Sequence, residues 1–380
     1  MSNRPDPFAE ISLDQLRART SAKWRHYPAD VLPLWVAEMD VNLAPVITDA
    51  LLALVRNGDT GYPGDTPYLE AFAAYAASSW GWEPEVSRCR AVESVIAGYT
   101  DTIVDATDVG STVVVTSPVY PPFYSYLRQA NRVVIAAPLG PDLRLDLARL
   151  SVAFAEASAR GNGAFLLCNP HNPGGTVHTR AELEAVAELA DRFEIQVVSD
   201  EIHAPIVYSD GTFTPYLAVD PAGIAIHAAS KGWNLAALPA AIAVFGTDAD
   251  AARARFDAGK HFGPTHWGTV AQTAAYSQGG EWFADVLDSL DRNRHLLGTL
   301  LASRLPSVRY HLPQSTYLTW LDCRDLALGD DPAAVFLERG RVAFNSGPTF
   351  GTGGEGHVRV NIATSGEILE EAVSRMVASL

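Results

Sequence analysis

The sequence predicts an α/β fold built on a largely parallel sheet, and three observations predict it. Short apolar runs recur through the middle of the chain, amphipathic stretches separate them, and no repeat or low-complexity linker interrupts the pattern. Such alternation places helices on both faces of a sheet whose strands run the same way. The runs Thr112-Val113-Val114-Val115-Thr116, Ala164-Phe165-Leu166-Leu167-Cys168, Ile195-Gln196-Val197-Val198-Ser199, Ile224-Ala225-Ile226-His227-Ala228 and Ala241-Ile242-Ala243-Val244-Phe245 read as strands. A strand covered on both faces needs no polar alternation. Between the second and third run, Thr179 and Glu182 have the spacing of a capping box, and a helical pattern follows to Phe193.

The last hundred residues read differently. A helical stretch from about Glu281 to Arg304 precedes an alternating strand, Ser315-Thr316-Tyr317-Leu318-Thr319-Trp320-Leu321. A second strand, His357-Val358-Arg359-Val360-Asn361, leads into a final helix over Gly366 to Ala378. These elements suit a small α+β domain completed by the N-terminal forty-odd residues. The division expected is a large domain over 46–275 and a small one over 1–45 and 276–380. At 380 residues the chain is long enough for two cores.

Composition narrows the function. The net charge is 28 − 44 = −16, which repels nucleic acid and anionic membranes and suits a small-molecule enzyme. No apolar run approaches the roughly eighteen residues of a membrane span, and Met1-Ser2-Asn3-Arg4-Pro5-Asp6 lacks the apolar core of a signal peptide. Cys89, Cys168 and Cys323 have neither paired nor metal-like spacing. A cytoplasmic protein without a metal site is expected.

In parallel sheets ligands gather beyond the carboxyl ends of the strands. Ser117 to Tyr120, Asn169 to Asn172, Asp200 to His203, and Ser230 with Lys231 all lie at such ends. Lys231 stands among small residues in Ala229-Ser230-Lys231-Gly232-Trp233-Asn234-Leu235, after the acidic strand end Ser199-Asp200-Glu201-Ile202-His203. A lysine amine can capture an aldehyde cofactor covalently, and a buried carboxylate can keep a pyridine ring protonated. Asn169-Pro170-His171-Asn172-Pro173-Gly174-Gly175 forms a tight loop whose Asn172 amide can donate to a ring oxygen.

Together, in this order and spacing, the three motifs resemble the fold-type I pyridoxal 5'-phosphate (PLP) enzymes of the class I/II aminotransferase superfamily. Leu32-Pro33-Leu34-Trp35-Val36-Ala37-Glu38-Met39-Asp40, Thr60-Gly61-Tyr62-Pro63, Pro118-Val119-Tyr120-Pro121-Pro122-Phe123 and the Asp200-Glu201-Ile202-His203 ending narrow the resemblance. They are similar to the MalY/PatB branch, the cystathionine β-lyases or cysteine-S-conjugate β-lyases, from about residue 30 to the C-terminus. The resemblance implies a mostly parallel seven-stranded sheet between helices, a small α+β domain and a homodimer with shared active sites. It further implies that Lys231 holds PLP and moves protons, that Asp200 pairs with the ring nitrogen, and that Tyr120 stacks on the ring. Asn172 would bond the ring hydroxyl oxygen. His203 lies where related aminotransferases keep a tyrosine near that oxygen. Ser230 and the N–H groups of Val95 and Ile96, read as a loop before a helix, would bind phosphate, with Tyr62 reaching the neighbouring subunit's cofactor. Arg359 would clamp the substrate carboxylate, with backbone at Val36 and Ala37 nearby and Tyr62 also near the substrate; a planar guanidinium fork suits a carboxylate better than an ammonium does.

Some positions depart from that pattern. Many aminotransferases carry a phosphate-binding arginine eight residues after the lysine, and Pro239 stands there. Ala237, Asn42 and Tyr99 also replace commoner residues and can reshape the pocket. The reaction implied is β-elimination: the lysine removes the Cα proton, sulfur leaves Cβ, and the remainder becomes pyruvate and ammonia. The same residues also allow transamination, or decarboxylating oxidative deamination of an S-cysteinyl conjugate. A non-catalytic regulator is a third reading, against which the intact Asp200, Asn172 and Lys231 set argues.

Overall fold

The computed structural model describes residues 4–64 and 66–380; Met1, Ser2 and Asn3, which open the expected small domain and the N-terminal segment read above, lie outside the described residues. The strands are, in chain order, β1 (Leu32–Pro33), β2 (Cys89–Val92), β3 (Thr112–Ser117), β4 (Val133–Pro138), β5 (Ala164–Cys168), β6 (Gln196–Asp200), β7 (Ile224–His227), β8 (Ala241–Phe245), β9 (Arg309–Tyr310), β10 (Leu318–Asp322), β11 (Val342–Ala343), β12 (Asn345–Ser346) and β13 (His357–Asn361). The backbone divides into two units. The larger takes in Leu43–His171 and Thr176–Gly280; the other takes in Met1–Asn42, Asn172–Gly175 and Glu281–Leu380.

The larger unit holds a seven-stranded sheet in the order β2-β8-β7-β6-β5-β3-β4. From β7 to β4 every pairing is parallel. β8 is antiparallel to both neighbours, which turns β2 back into the sense of the other five. The carboxyl ends of β2, β3, β5, β6 and β7 therefore share one edge. Side chains alternate across the sheet as the strand period requires. Val113, Val115 and Leu166 pack with Tyr99, Ile103 and Phe123 on one face. Val114, Phe165 and Leu167 pack with Phe154, Leu183 and Val186 on the other.

The apolar runs singled out in the sequence correspond to β3, β5, β6, β7 and β8. β2 and β4 escaped because they are edge strands. β4 leaves most of its residues partly exposed, and β2 spends one of four positions on Arg90. The helix Arg180–Phe193 starts at Thr179 with both halves of the capping box formed. The helix Val95–Ala106 lies close on the sheet at Gly98, where an added Cβ would stand 3.0 Å from Ile226 Cγ2 and 3.1 Å from Val92 Cγ2.

The smaller unit carries an antiparallel sheet in the order β12-β13-β10-β9 and the short parallel pair β1–β11. The strand expected from Ser315 begins only at Leu318. Thr316 has φ +66°, and its Oγ1 accepts the Leu318 N–H at 3.0 Å, so a turn replaces the first three residues. Near the N-terminus Lys23 Nζ meets Asp40 Oδ2 at 2.8 Å, both buried, and the Trp24 indole donates to Asp40 Oδ1 at 3.0 Å. Asn172–Gly175 joins this unit because the Gly175 carbonyl accepts the N–H groups of Gln314 and Ser315 at 2.9 and 3.0 Å. At φ +65°, with an added Cβ 2.4 Å from Pro313 Cβ, position 175 admits only glycine. Among the described residues no helix is long and apolar enough to cross a membrane.

Candidate active site

The shared strand edge of the larger unit collects the polar groups. Asp200 is the last residue of β6 and is 4% exposed. Its Oδ1 accepts the Ile202 N–H at 3.1 Å. Burial pushes its carboxyl up to about 7, while the Ile202 N–H and the nearby Lys231 pull the other way. Lys231 follows β7 in a half-buried turn. Its neighbours hold that turn in place. The Ala229 N–H donates to Gln272 Oε1 at 2.9 Å, its carbonyl accepts the Trp233 N–H at 3.0 Å, and the buried Trp233 indole donates to the Gly279 carbonyl at 3.0 Å. Small residues flank the lysine because the chain turns against this packed aromatic. Ser230 precedes it, half-buried, its carbonyl accepting the Leu235 N–H at 2.9 Å.

Val95 and Ile96 are not a loop before a helix but the first turn of the helix Val95–Ala106, capped by Ser94, whose Oγ accepts the Ala97 N–H at 3.1 Å. A helix starts with N–H groups that have no partner one turn back, and these favour an anion. Tyr120 lies half-buried beyond β3, edge-on to Phe123 at 5.9 Å. Tyr99, one turn into the capped helix, is edge-on to Phe123 at 5.1 Å. Its hydroxyl is buried without a hydrogen-bond partner, and burial, with Asp200 and Tyr120 nearby, raises its pKa. His203 is buried in the turn after β6. Tyr62 does not join this group; it is 99% exposed.

Behind Asp200 lies a residue that the sequence did not single out as functional. Glu201 Oε1 accepts from Tyr216 N at 2.8 Å, Ser199 Oγ at 2.9 Å and Asn169 Nδ2 at 3.1 Å. Its Oε2 stands 3.2 Å from His227 Nε2. Burial pushes Glu201 up to about 8 and His227 down to about 3. Glu201 thus ties together the ends of β5, β6 and β7, which lead to Asn172, Asp200 and Lys231. Only its position directly after Asp200 signalled it; the partners come from strand pairing.

In the smaller unit Arg359 on β13 is 3% exposed. It donates from Nη1 to Asn172 Oδ1 at 3.2 Å and from Nη2 to the Trp35 carbonyl at 3.0 Å. Its guanidinium lies 5.2 Å from the Phe350 ring centre. Holding Asn172 by its oxygen orients the amide and turns its N–H groups the other way. Ala37 is half-buried, and its carbonyl accepts the Tyr317 hydroxyl at 3.1 Å.

These features fit PLP. A buried carboxyl poised near neutrality beside a lysine suits a cationic ring nitrogen, and a capped helix start suits a phosphate. Among the described residues no three His, Cys, Asp or Glu side chains gather to hold a metal.

A family model described as "Aminotransferase class I and II" matches residues 47–376. The chain is 50% identical to a Mycobacterium tuberculosis protein named "Putative cystathionine beta-lyase", covering 99% of this chain and 98% of that one. It is 33% identical to the "Cystathionine beta-lyase" of Corynebacterium glutamicum, covering 97% and 99%. Cystalysin from Treponema denticola, whose crystal structure contains a pyridoxal 5'-phosphate cofactor, superposes with a TM-score of 0.90 over 98% of each chain at 24% identity, a likeness of fold.

Proposed function

The chain belongs to the aminotransferase class I and II family, and from that premise we propose that it is a PLP-dependent carbon–sulfur β-lyase. It splits cystathionine or another cysteine S-conjugate into a thiol, pyruvate and ammonia. The observation that carries this reading is that the buried Asp200 ends β6 and Lys231 follows the neighbouring β7, close enough for the lysine's charge to act on the carboxyl. The names of the full-length relatives support the choice of carbon–sulfur cleavage.

When bound, PLP supplies an electron-accepting ring that takes up the charge left at Cα. The chain's own residues do the rest. Lys231 Nζ would hold the cofactor and, as a free amine, would remove the substrate Cα proton. Asp200 keeps a proton on the ring nitrogen. Asn172 would donate to the ring oxygen, with His203 near that oxygen, and Tyr120 would stack on the ring face. Ser230 and the first N–H groups of the helix at Val95 and Ile96 hold the phosphate, in compensation for the proline at 239. Arg359 takes the substrate carboxylate. As the Cα–H bond breaks, the Cβ–S bond releases a thiolate, which accepts the proton from Lys231 Nζ. Water then converts the three-carbon remainder into pyruvate and ammonia. Incubating the PLP-loaded protein with cystathionine and with S-alkyl cysteines should release thiol, pyruvate and ammonia in equal amounts. A keto acid that keeps its sulfur, or release of carbon dioxide, would replace this reading with transamination or oxidative decarboxylation.

The protein is further proposed to act as a homodimer in the cytoplasm. Tyr62 and Phe262 are 99% and 82% exposed, and the Phe262 carbonyl accepts the N–H of Glu93, next to the helix cap at Ser94. A second copy covering these rings would bring Tyr62 to its partner's phosphate. Sedimentation velocity should report a dimer, and Tyr62→Ala should weaken PLP retention; a monomer with full PLP occupancy would sink this part. The three cysteines are buried free thiols, as suits a reducing compartment.

A further inference from the structure

Tyr99 carries a hydroxyl that the fold itself does not use. The residue is fully buried, and its oxygen meets no hydrogen-bond partner. A buried polar group left this way costs free energy, and a phenylalanine would fill the same space without that cost. Strand register shows what lies beside it. Asp200 pairs with Cys168 on β5 and with Ile226 on β7. Cys168, Ile226 and Val198 belong to the core cluster that contains Tyr99. Asp200 stands two residues after Val198 on β6, so the strand period turns its side chain to the same face. The helix backbone next to Tyr99 lies directly on this row: an added Cβ at Gly98 would stand 3.0 Å from Ile226 Cγ2. Phe123 meets the rings of Tyr99 and Tyr120 edge-on, at 5.1 and 5.9 Å.

Burial most of all, then Asp200, Tyr120, Tyr126 and Cys168 in that order, raise the pKa of Tyr99, so the hydroxyl keeps its proton and can donate. Asp200 in turn meets Lys231 and Glu201. Its carboxylate has about four acceptor sites, and one of them takes the Ile202 N–H at 3.1 Å. A hydroxyl hydrogen rotates to suit the charge it faces. We infer that Tyr99 is a positioning residue for Asp200: its O–H turns toward the carboxylate and stabilises the anion that keeps a proton on the cofactor's ring nitrogen. The inference rests on the reading of Asp200 as the partner of that nitrogen.

PLP labelled with nitrogen-15 in the ring reports the proton on that atom by its chemical shift. Tyr99→Phe keeps the aromatic ring and removes only the oxygen. In the PLP-loaded variant the ring nitrogen should lose its proton about one pH unit lower than in wild type, an about tenfold weaker hold. The kcat for S-methylcysteine should fall about tenfold while KM changes little. The melting temperature of the apoprotein should stay at or above the wild-type value, because an unpartnered buried hydroxyl has gone. Asp200→Asn tests the premise separately. It should strip the proton from the ring nitrogen, and adding Tyr99→Phe should then change nothing further, since no carboxylate is left to support. An unchanged nitrogen titration in Tyr99→Phe, or its full effect persisting beside Asp200→Asn, would overturn the inference. So would a large fall in melting temperature, which would make the hydroxyl a support of the fold. If Asp200→Asn leaves the nitrogen protonated as in wild type, Asp200 is misassigned and the role of Tyr99 falls with it.

Discussion

Lys231→Ala is expected to abolish pyruvate release while leaving the protein folded. The loss should reach about four orders of magnitude or more, because one amine both anchors the cofactor and moves the proton that starts elimination. Folding should survive because the turn is held by its neighbours: Ala229 by Gln272, and Trp233 by Gly279. The half-buried lysine side chain leaves no large void when shortened. Borohydride treatment followed by mass spectrometry should find cofactor fixed to the Lys231 peptide in wild type and to no peptide in the variant. Circular dichroism should be unchanged. Appreciable pyruvate from a folded Lys231→Ala protein would remove the lysine from its assigned role.

Asp200→Asn should have the next largest effect, cutting kcat by about a thousandfold, since a neutral amide cannot hold the ring nitrogen as a cation. It also carries a pH signature measurable without substrate. Burial raises the folded-state carboxyl to about 7, above an unfolded value of about 3.9. The folded apoprotein therefore binds the proton more tightly. Its contribution to stability is fully present below the unfolded value and is lost as pH rises through about 7. Glu201, raised to about 8, acts in the same direction, so the difference between wild type and Asp200→Asn isolates Asp200. His171 and His227, both lowered to about 3, act in the opposite direction as pH falls below about 6.5. The clean window is therefore pH 6.5 to 8. There the melting temperature of wild-type apoprotein should fall with rising pH more steeply than that of Asp200→Asn. Adding PLP should shrink the wild-type slope, because a cation at the ring nitrogen restores the charged carboxylate. Equal slopes in the two apoproteins, or near-normal turnover by Asp200→Asn, would break the pairing.

Much of this arrangement was legible along the chain. The buried strands announced themselves as apolar runs, and Asp200 and Lys231 stood out as polar residues just past them. What escaped depends on pairing across the fold. Glu201 is one carboxylate among many until β5, β6 and β7 align Asn169, Ser199 and His227 around it. Asn361 reads as an ordinary strand polar residue until Val36 and Glu38 lie beneath it. Ser94 caps the helix at Val95, but a lone serine without a Glu or Gln three residues on marks a helix start only weakly. The late start of β10 follows from the positive φ of Thr316, which no apolar pattern reports.

The bond from Asn361 to Val36 joins residues 325 positions apart. A ribosome adding roughly 5–20 residues per second needs roughly fifteen to sixty-five seconds to span that distance. For that interval the segment from Trp35 to Glu38 lacks its partners on β13. The larger unit, complete in sequence by Gly280, can by then have formed its sheet. On a nascent chain the sequence of the larger unit is thus complete before Val36 can meet Asn361.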